Sequence, residues 1–130
     1  MSNVPADLKY SQSHEWVRCD GDVATIGITD HAQAELGDVV YVELPETGRI
    51  VAAEAQLGEI ESVKAVSPLF APVSGEVVEA NTALVDSTEV VNEDPYGKGW
   101  IVKVRMSEPA QIAKLLDPAD YVKLCAEEAE

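Results

Sequence analysis

Basic residues are scarce in this sequence. Nine Lys and Arg stand against 24 Asp and Glu, which gives a formal net charge of −15 at pH 7. A chain this acidic is repelled by phosphate backbones and by anionic membrane surfaces, so we expect neither nucleic acid nor membrane as a partner. An acidic surface favours docking to basic patches on other proteins, although the charge also serves solubility alone.

Apolar runs are short, and cysteines and aromatic residues are few. No run approaches the roughly 20 residues that cross a bilayer. Cys19 and Cys125 lie near opposite ends without CxxC spacing, which predicts reduced, inert thiols. With one Phe, two Trp and four Tyr, the core must consist mostly of Val, Ile, Leu and Ala. The N-terminus has no basic region followed by an apolar run and is not Arg-rich, so we expect a cytoplasmic protein.

Motifs of metal and catalytic sites are also missing. His14, Glu15 and His31 are the plausible metal ligands, but no pair has HxxxH or CxxC spacing, so we expect no metal site. No GxSxG sequence surrounds a nucleophilic serine. Residues 97–99 place a lysine between two glycines but lack the pattern of a phosphate-binding loop. The sequence therefore predicts a carrier or an interaction scaffold, not an enzyme.

Short apolar segments separated by turns predict a mainly β fold. A chain of 130 residues is one domain by length, and 46% hydrophobic residues suffice for a core. Thr29 is suited to cap one short internal helix over about residues 30–36, which ends at Gly37. The predicted strands cover residues 15–18, 23–28, 39–44, 49–53, 57–62, 76–80, 88–91 and 100–105.

The pattern changes from strand to helix near residue 107. Alternation in the last strand predicts that Trp100 faces inward and Ile101 faces outward. Helical spacing follows, with Pro109 in the first turn of one helix and a second helix after it. We therefore expect a single domain, residues 1–130, in which residues 107–130 form a C-terminal helical extension.

One lysine stands in a setting unlike that of the others. Lys64 lies between short apolar residues, with the carboxylate of Glu61 three positions before it. A lysine at the tip of a β-turn extends a primary amine on a flexible stem, where another protein can reach and acylate it. The ordinary interpretation of any single lysine is a solvated surface residue. Lys98 is a second candidate, but Pro95 stands at the position that would hold the carboxylate.

The segment Glu61-Ser62-Val63-Lys64-Ala65 resembles the H-protein family of the glycine cleavage system. The resemblance covers nearly the whole chain, and the combination of similar blocks in this order is highly specific. Those blocks are Ser13-His14-Glu15-Trp16, residues 25–33, residues 37–45, Ser74-Gly75-Glu76-Val77, Asn81 and residues 92–100.

This resemblance implies a lipoyl/biotinyl-like barrel-sandwich hybrid of two short-stranded sheets, with a short internal helix and C-terminal helices. It also implies that lipoic acid is joined to Lys64 by an amide bond. A lipoate ligase or lipoyltransferase would recognise the turn around this lysine. The residues assigned to the recognition turn are Glu61, Ser62, Val63 and Ala65.

By the same resemblance, the chain is a non-catalytic carrier in a multienzyme system. Glycine decarboxylase, which uses pyridoxal phosphate, releases CO2 and places an aminomethyl group on the sulfur of the lipoyl arm. An aminomethyltransferase passes the one-carbon unit to tetrahydrofolate and releases ammonia. Dihydrolipoamide dehydrogenase then reoxidises the dithiol with FAD and NAD. The sulfur chemistry belongs to the cofactor, while the protein presents and protects it.

A surface cleft that excludes water would protect the hydrolysis-prone cargo. The resemblance implies that Ser13, His14 and Glu15 line this cleft. Glu15 would pair with the cationic amine and Ser13 would accept a hydrogen bond; the alternative is that these residues only stabilise the first hairpin. Residues 66–70 are apolar where family members often carry a polar or acidic residue, which leaves the contacts on that side of the cleft open.

Other carriers are alternatives. A biotin carrier domain typically has its lysine between methionines, where this chain has Val63 and Ala65. A lipoyl domain of a 2-oxo acid dehydrogenase usually shows Asp-Lys-Ala and lacks the C-terminal helical segment. An H-like protein that serves lipoate relay or another lipoyl-dependent pathway is also compatible with the sequence. A cofactor-free acidic scaffold is the alternative of a different class.

Overall fold

The computed structural model describes residues 4–128. Within these residues, nine strands form two antiparallel sheets, accompanied by four α-helices and one 3-10 helix. The prediction of a mainly β chain is therefore confirmed. Residues 1–3 and 129–130, the ends of the predicted domain, lie outside the described residues, and the domain limits of 1–130 stay a prediction.

The larger sheet has six strands, and each neighbouring pair is antiparallel. The first hairpin turns at Gly21, whose φ of 64° lies in the left-handed region that glycine adopts without a Cβ penalty. In spatial order the strands are β1 (Lys9–Tyr10), β2 (Glu15–Asp20), β3 (Val23–Ile28), β9 (Val102–Met106), β8 (Gly75–Ala80) and β5 (Ile50–Val51).

The smaller sheet has three strands, β4 (Val39–Glu43), β6 (Gln56–Ser62) and β7 (Val66–Phe70), with β6 in the middle. The strands predicted from the sequence do not include β7, which contains Pro68, a residue that cannot donate a ladder hydrogen bond. The structure accommodates this proline because β7 is an edge strand. The hairpin formed by β6 and β7 carries Lys64 at its tip.

Buried aliphatic side chains from both sheets form the main core, as the composition predicts. A second cluster is aromatic and lies under the C-terminal helix. It contains Tyr10, Trp16 and Tyr121, each 0% exposed, together with Leu8. The indole nitrogen of Trp16 donates to the carbonyl oxygen of Pro95 at 2.9 Å, so its one polar atom is paired.

The internal helix α1 (Asp30–Leu36) begins and ends where the sequence predicts. The hydroxyl of Thr29 accepts from the amide of Ala32 at 3.2 Å and caps the first turn. Gly37 follows the helix with a φ of 78°. Its amide donates to the carbonyl oxygen of Gln33 at 3.0 Å. A cap and a left-handed glycine are local signals, which explains why this prediction holds.

Two predictions about the second half are wrong. Residues 88–91 were predicted as a strand, but they lie at the start of α3 (Glu89–Glu93), which follows α2 (Ala83–Asp86). The amide group of Asn92 explains the difference. Its nitrogen donates to the carbonyl oxygen of Gly37 at 2.8 Å, and its oxygen accepts from the amide of Val39 at 2.9 Å. Long-range pairing therefore overrides the local β-propensity of the two valines.

Ile101 was predicted to face outward and is instead 0% exposed. It precedes β9, and its amide donates to the carbonyl oxygen of Ile26 at 2.8 Å. Buried and more exposed side chains alternate from Val102 to Met106 within β9. This alternation does not extend back to Ile101 and Trp100. Trp100 is half-buried and contacts Lys103, whose Nζ lies 5.0 Å from the ring centroid.

The C-terminal segment is helical, as predicted, but its first helix is a 3-10 helix over Pro109–Lys114. The second is α4 (Pro118–Glu128). Tyr121 of α4 stacks on Tyr10 of β1 with ring centroids 4.6 Å apart, and this contact joins the helix to the larger sheet. Among the described residues, no helix has the length and apolar character needed to cross a membrane.

Candidate functional site

Lys64 lies at the tip of the hairpin that joins β6 to β7. The amide of Ser62 donates to the carbonyl oxygen of Ala65 at 2.8 Å, so Val63 and Lys64 form a two-residue turn. Both turn residues are exposed. Because the turn closes a paired hairpin, the flexible stem of the lysine starts from a fixed backbone position.

The side chain of Ser62 organises this turn. Its hydroxyl accepts from the amide of Ala65 at 3.1 Å and from the amide of Lys64 at 3.4 Å. The same hydroxyl donates to the carbonyl oxygen of Ala65 at 3.2 Å. Ser62 is only 9% exposed, so these bonds satisfy the hydrogen-bonding capacity of a buried hydroxyl. The hydroxyl also serves as the acceptor for the turn amides in place of a backbone carbonyl.

The turn is anchored to the beginning of β4. The amide of Val63 donates to the carbonyl oxygen of Asp38 at 3.0 Å. The stem of Lys64 passes close to Gly37, because its Cε lies 3.6 Å from the position that a Cβ at residue 37 would occupy. The end of α1, the start of β4 and the lysine turn therefore meet at one place.

Exposed apolar and acidic side chains surround the turn. Val63 is 68% exposed, Val66 is 56% exposed and Tyr41 is 47% exposed. Glu61, which pairs with Tyr41 and with Val66 in the register of the smaller sheet, adds a negative charge to the same region. This surface offers apolar contact area and negative charge to a partner that carries a complementary basic patch.

A cavity of about 350 Å³ opens beside the turn. Its lining includes all three residues that were predicted to line a cleft, namely Ser13, His14 and Glu15. On the other side it is lined by residues 65–68, which directly follow Lys64. The structure therefore brings the predicted cleft residues and the lysine turn to the two sides of one cavity.

Glu15 is buried and fully hydrogen-bonded. The hydroxyls of Ser11 and Ser13 both donate to its Oε1, the latter at 2.5 Å, and the amide of Phe70 donates to its Oε2 at 3.1 Å. Burial raises the pKa of this carboxyl, and its hydrogen bonds from Ser11, Ser13 and the amides of Phe70 and of Glu15 itself oppose that rise. The carboxylate of Glu15 in β2 thus links that strand to β7 through the amide of Phe70.

His14 has an unusual backbone conformation, with a φ of 72°. Two backbone hydrogen bonds hold it there: its amide donates to Ser11 at 3.1 Å, and its carbonyl oxygen accepts from Thr29 at 3.1 Å. The conformation directs the imidazole toward α4, where Nδ1 lies 2.7 Å from the hydroxyl of Tyr121. Left-handed non-glycine residues of this kind cost free energy and are concentrated at functional sites.

Sequence reasoning missed the part of the cavity that the helices provide. Glu35 and Leu36 at the end of α1 line it, and so does Glu128 in the last turn of α4. Glu128 Oε1 lies 2.8 Å from Nε2 of His14. No local signal marks these residues, because only the packing of α4 against the aromatic cluster brings Glu128 to residue 14.

A larger cavity of about 790 Å³ lies on the other side of Glu15. Its walls include Phe70 and Lys114, and it shares Ser13 and Glu15 with the smaller cavity. None of the residues 61–65 lines it. The smaller cavity is therefore the one that adjoins the lysine turn, and it is the better match to the predicted cleft.

Comparison with known proteins identifies the family of this chain. The sequence profile of the family described as Glycine cleavage H-protein matches residues 8–128. The chain belongs to this family. A glycine cleavage system H protein from Carboxydothermus hydrogenoformans is 55% identical over 130 residues, which are 100% of each chain. The mitochondrial glycine cleavage system H protein 3 of Arabidopsis thaliana is 53% identical over 127 residues, which cover 98% of this chain and 76% of the relative.

A solved structure supports the fold as well. The crystal structure of a glycine cleavage system H protein from Mycobacterium marinum matches with a TM-score of 0.84 and 41% identity, and the match covers 92% of this chain and 97% of that chain. The predicted fold of two short-stranded sheets with an internal helix and C-terminal helices is confirmed. Within residues 4–128, neither sheet closes into a barrel.

Proposed function

We propose that this chain is the lipoyl-bearing carrier of a glycine cleavage system, with lipoic acid in amide linkage to Lys64. The observation that carries the proposal is the position of this lysine. It is exposed at the tip of a two-residue turn, and the cavity beside it begins at the next residue, Ala65. Family membership supports the assignment to the glycine cleavage system.

The residues of the turn fit this attachment. Acylation of Lys64 needs a primary amine that an enzyme can reach, and it removes the positive charge of that amine. Ser62 fixes the backbone that a lipoate ligase or lipoyltransferase would recognise. Glu61, Val63 and Ala65 would provide the side chains that the enzyme reads.

The attached lipoyl group would supply a disulfide that takes up an aminomethyl group and electrons. The chain itself would present this group in turn to glycine decarboxylase, the aminomethyltransferase and dihydrolipoamide dehydrogenase. Tethering raises the effective concentration of the carried group at each docked enzyme. The acidic and apolar surface around Tyr41, Glu61 and Val63 would serve as the shared docking area, and the chain would contribute no catalysis of its own.

The cavity of about 350 Å³ would shelter the loaded arm. We assign Ser13, His14 and Glu15 to this cleft. On the opposite side of the cleft Val66 and Pro68 are apolar and Ser67 is uncharged, so the charged end of the cargo would depend on the carboxylate of Glu15. Exclusion of water from the cavity would slow hydrolysis of the cargo.

Replacing Ser62 with Ala is expected to loosen the turn and slow lipoylation. The amide of Ala65 would lose its partner, and the loss of one such hydrogen bond costs roughly 0.5–1.5 kcal/mol. Urea unfolding and the rate of mass increase with a lipoate ligase measure the two effects. Ser87→Ala, at a half-buried serine outside the hairpin, is the control. Equal lipoylation rates in the two variants would contradict a role for Ser62 in recognition.

Replacing Glu15 with Gln is expected to shorten the lifetime of the loaded arm. Glutamine can keep hydrogen bonds to the two serines and to the amide of Phe70, but it cannot neutralise a cationic amine. We expect the loaded protein to lose its cargo severalfold faster, as followed by mass spectrometry over time. Glu59→Gln on β6 removes an equal charge outside the cavity lining and is the control. An unchanged lifetime in the Glu15 variant would limit this residue to a role in folding.

The decisive experiment for the proposal is an intact mass with peptide mapping, on protein made in cells supplied with lipoate. One lipoyl increment mapped to Lys64 is expected. A reconstituted glycine cleavage assay then separates the proposal from an H-like protein that serves lipoate relay, because only the former supports glycine-dependent CO2 release. Fractionation of the source cells tests the proposed cytoplasmic location.

A further inference from the structure

Three separate parts of the chain bring ligand-type side chains to one place beside the cavity. His14 comes from the segment before β2, His31 and Glu35 from α1, and Glu128 from the last turn of α4. Nε2 of His14 lies 2.8 Å from Glu128 Oε1, and Nε2 of His31 lies 3.8 Å from the same oxygen. Glu35 Oε1 is in direct contact with Nε2 of His31.

The geometry of each residue favours this convergence. His31 and Glu35 are four positions apart on α1, which places both on one face of the helix. His14 is held in a left-handed conformation, and its Nδ1 is bound to the hydroxyl of Tyr121, which leaves Nε2 facing Glu128. Histidines that bind metals almost always use their other ring nitrogen in this way, because the second bond fixes the orientation of the ring.

His31 provides a further observation. Its Nε2 is buried and makes no hydrogen bond of acceptable geometry within the described residues, although two carboxylates lie against it. A buried polar atom without a hydrogen bond is costly and requires an explanation. A cation bound between this nitrogen and the two carboxylates would supply the missing partner.

We propose that His14, His31, Glu35 and Glu128 bind one divalent transition-metal cation of the zinc class. Four ligand atoms placed about 2.0–2.1 Å from a tetrahedral Zn²⁺ lie roughly 3.3 Å from one another. The Glu128 oxygen lies 2.8 Å from His14 Nε2 and 3.8 Å from His31 Nε2, while the contact of Glu35 with His31 is shorter than this spacing of roughly 3.3 Å, so the side chain of Glu35 would have to move back to admit the ion. Two carboxylates would neutralise the charge of the ion, and the two imidazoles would favour zinc over Ca²⁺ or Mg²⁺.

Cys125 lies near the same histidines but is not assigned as a ligand. The Sγ of Cys125 lies within 4.8 Å of a ring nitrogen of His14 and of one of His31. The ligand atoms of His31, Glu35 and Glu128 are equally close to one another. An oxygen of Glu128 lies 2.8 Å from Nε2 of His14, and an oxygen of Glu35 is in direct contact with Nε2 of His31, so both carboxylates already face the nitrogens of the proposed site. The two carboxylates are the better anionic partners.

The proposal departs from the expectation of no metal site, which was drawn from spacing in the sequence alone. It does not depend on lipoylation of Lys64. A bound ion would join the end of α4 to α1 and to the segment of His14, at the cavity wall that Glu35 and Glu128 form. Because such an ion binds the folded chain and not the unfolded one, it would raise the melting temperature in proportion to the logarithm of its concentration.

The test is titration of Zn²⁺ into the full chain, with Lys64 unmodified and without a histidine tag, followed by calorimetry and thermal unfolding. We expect one Zn²⁺ per chain, a raised melting temperature, and no displacement by excess Ca²⁺. Glu128→Gln should weaken binding by at least the roughly 10–100-fold that loss of a supporting contact costs, and Glu35→Gln should weaken it similarly. Both variants change exposed carboxylates and leave the core intact.

Glu59→Gln is the matched control. Glu59 pairs with Glu43 across the smaller sheet, so it belongs to an acidic pair without histidines and carries the same charge. Equal weakening in this variant, or displacement of Zn²⁺ by Ca²⁺, would mean that the acidic surface alone attracts the ion, and would overturn the proposal. Lack of stoichiometric binding, with His14 and His31 forming only ion pairs to the two carboxylates, would overturn it as well.

Substitution of Co²⁺ tests the ligand set. A site made of imidazoles and carboxylates is expected to show d–d bands without a thiolate-to-cobalt charge-transfer band. A charge-transfer band that disappears in Cys125→Ser would overturn the assignment of the carboxylates. Retention of the d–d spectrum in Cys125→Ser, and its loss in Glu128→Gln, supports the proposed site.

Discussion

Replacing Lys64 with Arg is expected to abolish lipoyl attachment and all carrier activity. The guanidinium group of arginine stays protonated and does not accept an acyl group as an amine does, although it keeps the charge and most of the length of the side chain. Because residue 64 is exposed, the free energy of unfolding should change by no more than about 0.5 kcal/mol. A folded chain that cannot be loaded is therefore the expected product.

The comparison requires the variant, the original chain and Lys98→Arg, all made with a competent lipoate ligase. Lys98 is also exposed, but it lies in the loop after α3 and not in the hairpin. Intact mass, peptide mapping and glycine-dependent CO2 release should be normal in Lys98→Arg and absent in Lys64→Arg. A lipoyl increment on Lys64→Arg, or its loss from Lys98→Arg, would refute attachment at Lys64.

The parts of the fold that have local causes could be predicted from the sequence. The cap at Thr29 and the left-handed glycine at position 37 delimit α1, and both signals lie within the helix ends themselves. The hairpin around Gly21 follows from a turn residue between two alternating runs. Each of these elements needs only its own residues to be recognised.

The elements that the sequence does not predict correctly depend on contacts between distant parts of the chain. Residues 88–91 have the β-branched composition of a strand, yet Asn92 binds Gly37 and Val39 from the end of a helix. A strand that contains Pro68 is tolerated at the edge of a sheet, and only the strand order of the smaller sheet shows that β7 lies at an edge. In both cases the deciding feature is the tertiary arrangement and not the local sequence.

The candidate site divides in the same way. Lys64 and Ser62 form a local turn, and a local pattern is enough to select them. The cleft needs Glu15 of β2 to meet Phe70 of β7, and the lining by Glu128 needs the whole C-terminal helix to pack on Tyr10. Spacing alone therefore could not show that His14 and His31 share two carboxylates.

Replacing Gly75 with Ala is expected to cause the largest loss of stability among single-methyl changes in the strands. A Cβ at this position would lie 2.0 Å from the carbonyl oxygen of Arg105 and 2.7 Å from Cγ1 of Val104. Gly75 pairs with Met106 on one side and Val51 on the other, so neither neighbouring strand can move away without loss of its hydrogen bonds. We expect a loss of about 3 kcal/mol, the upper end of the usual cost of overpacking.

Urea unfolding measures this loss, and Gly21→Ala separates its cause from backbone conformation. A Cβ at residue 21 would meet nothing within 4 Å, but its φ of 64° is strained for alanine, which costs about 1–2 kcal/mol. Gly75 has no positive φ, so its cost would come only from the collision with β9, that is, with the backbone of Arg105 and the side chain of Val104. A loss in Gly75→Ala no larger than in Gly21→Ala would show that β8 and β9 separate easily. Since marginal domains are stable by about 5–15 kcal/mol, the expected loss would populate unfolded chains measurably and lower the yield of protein available for lipoylation.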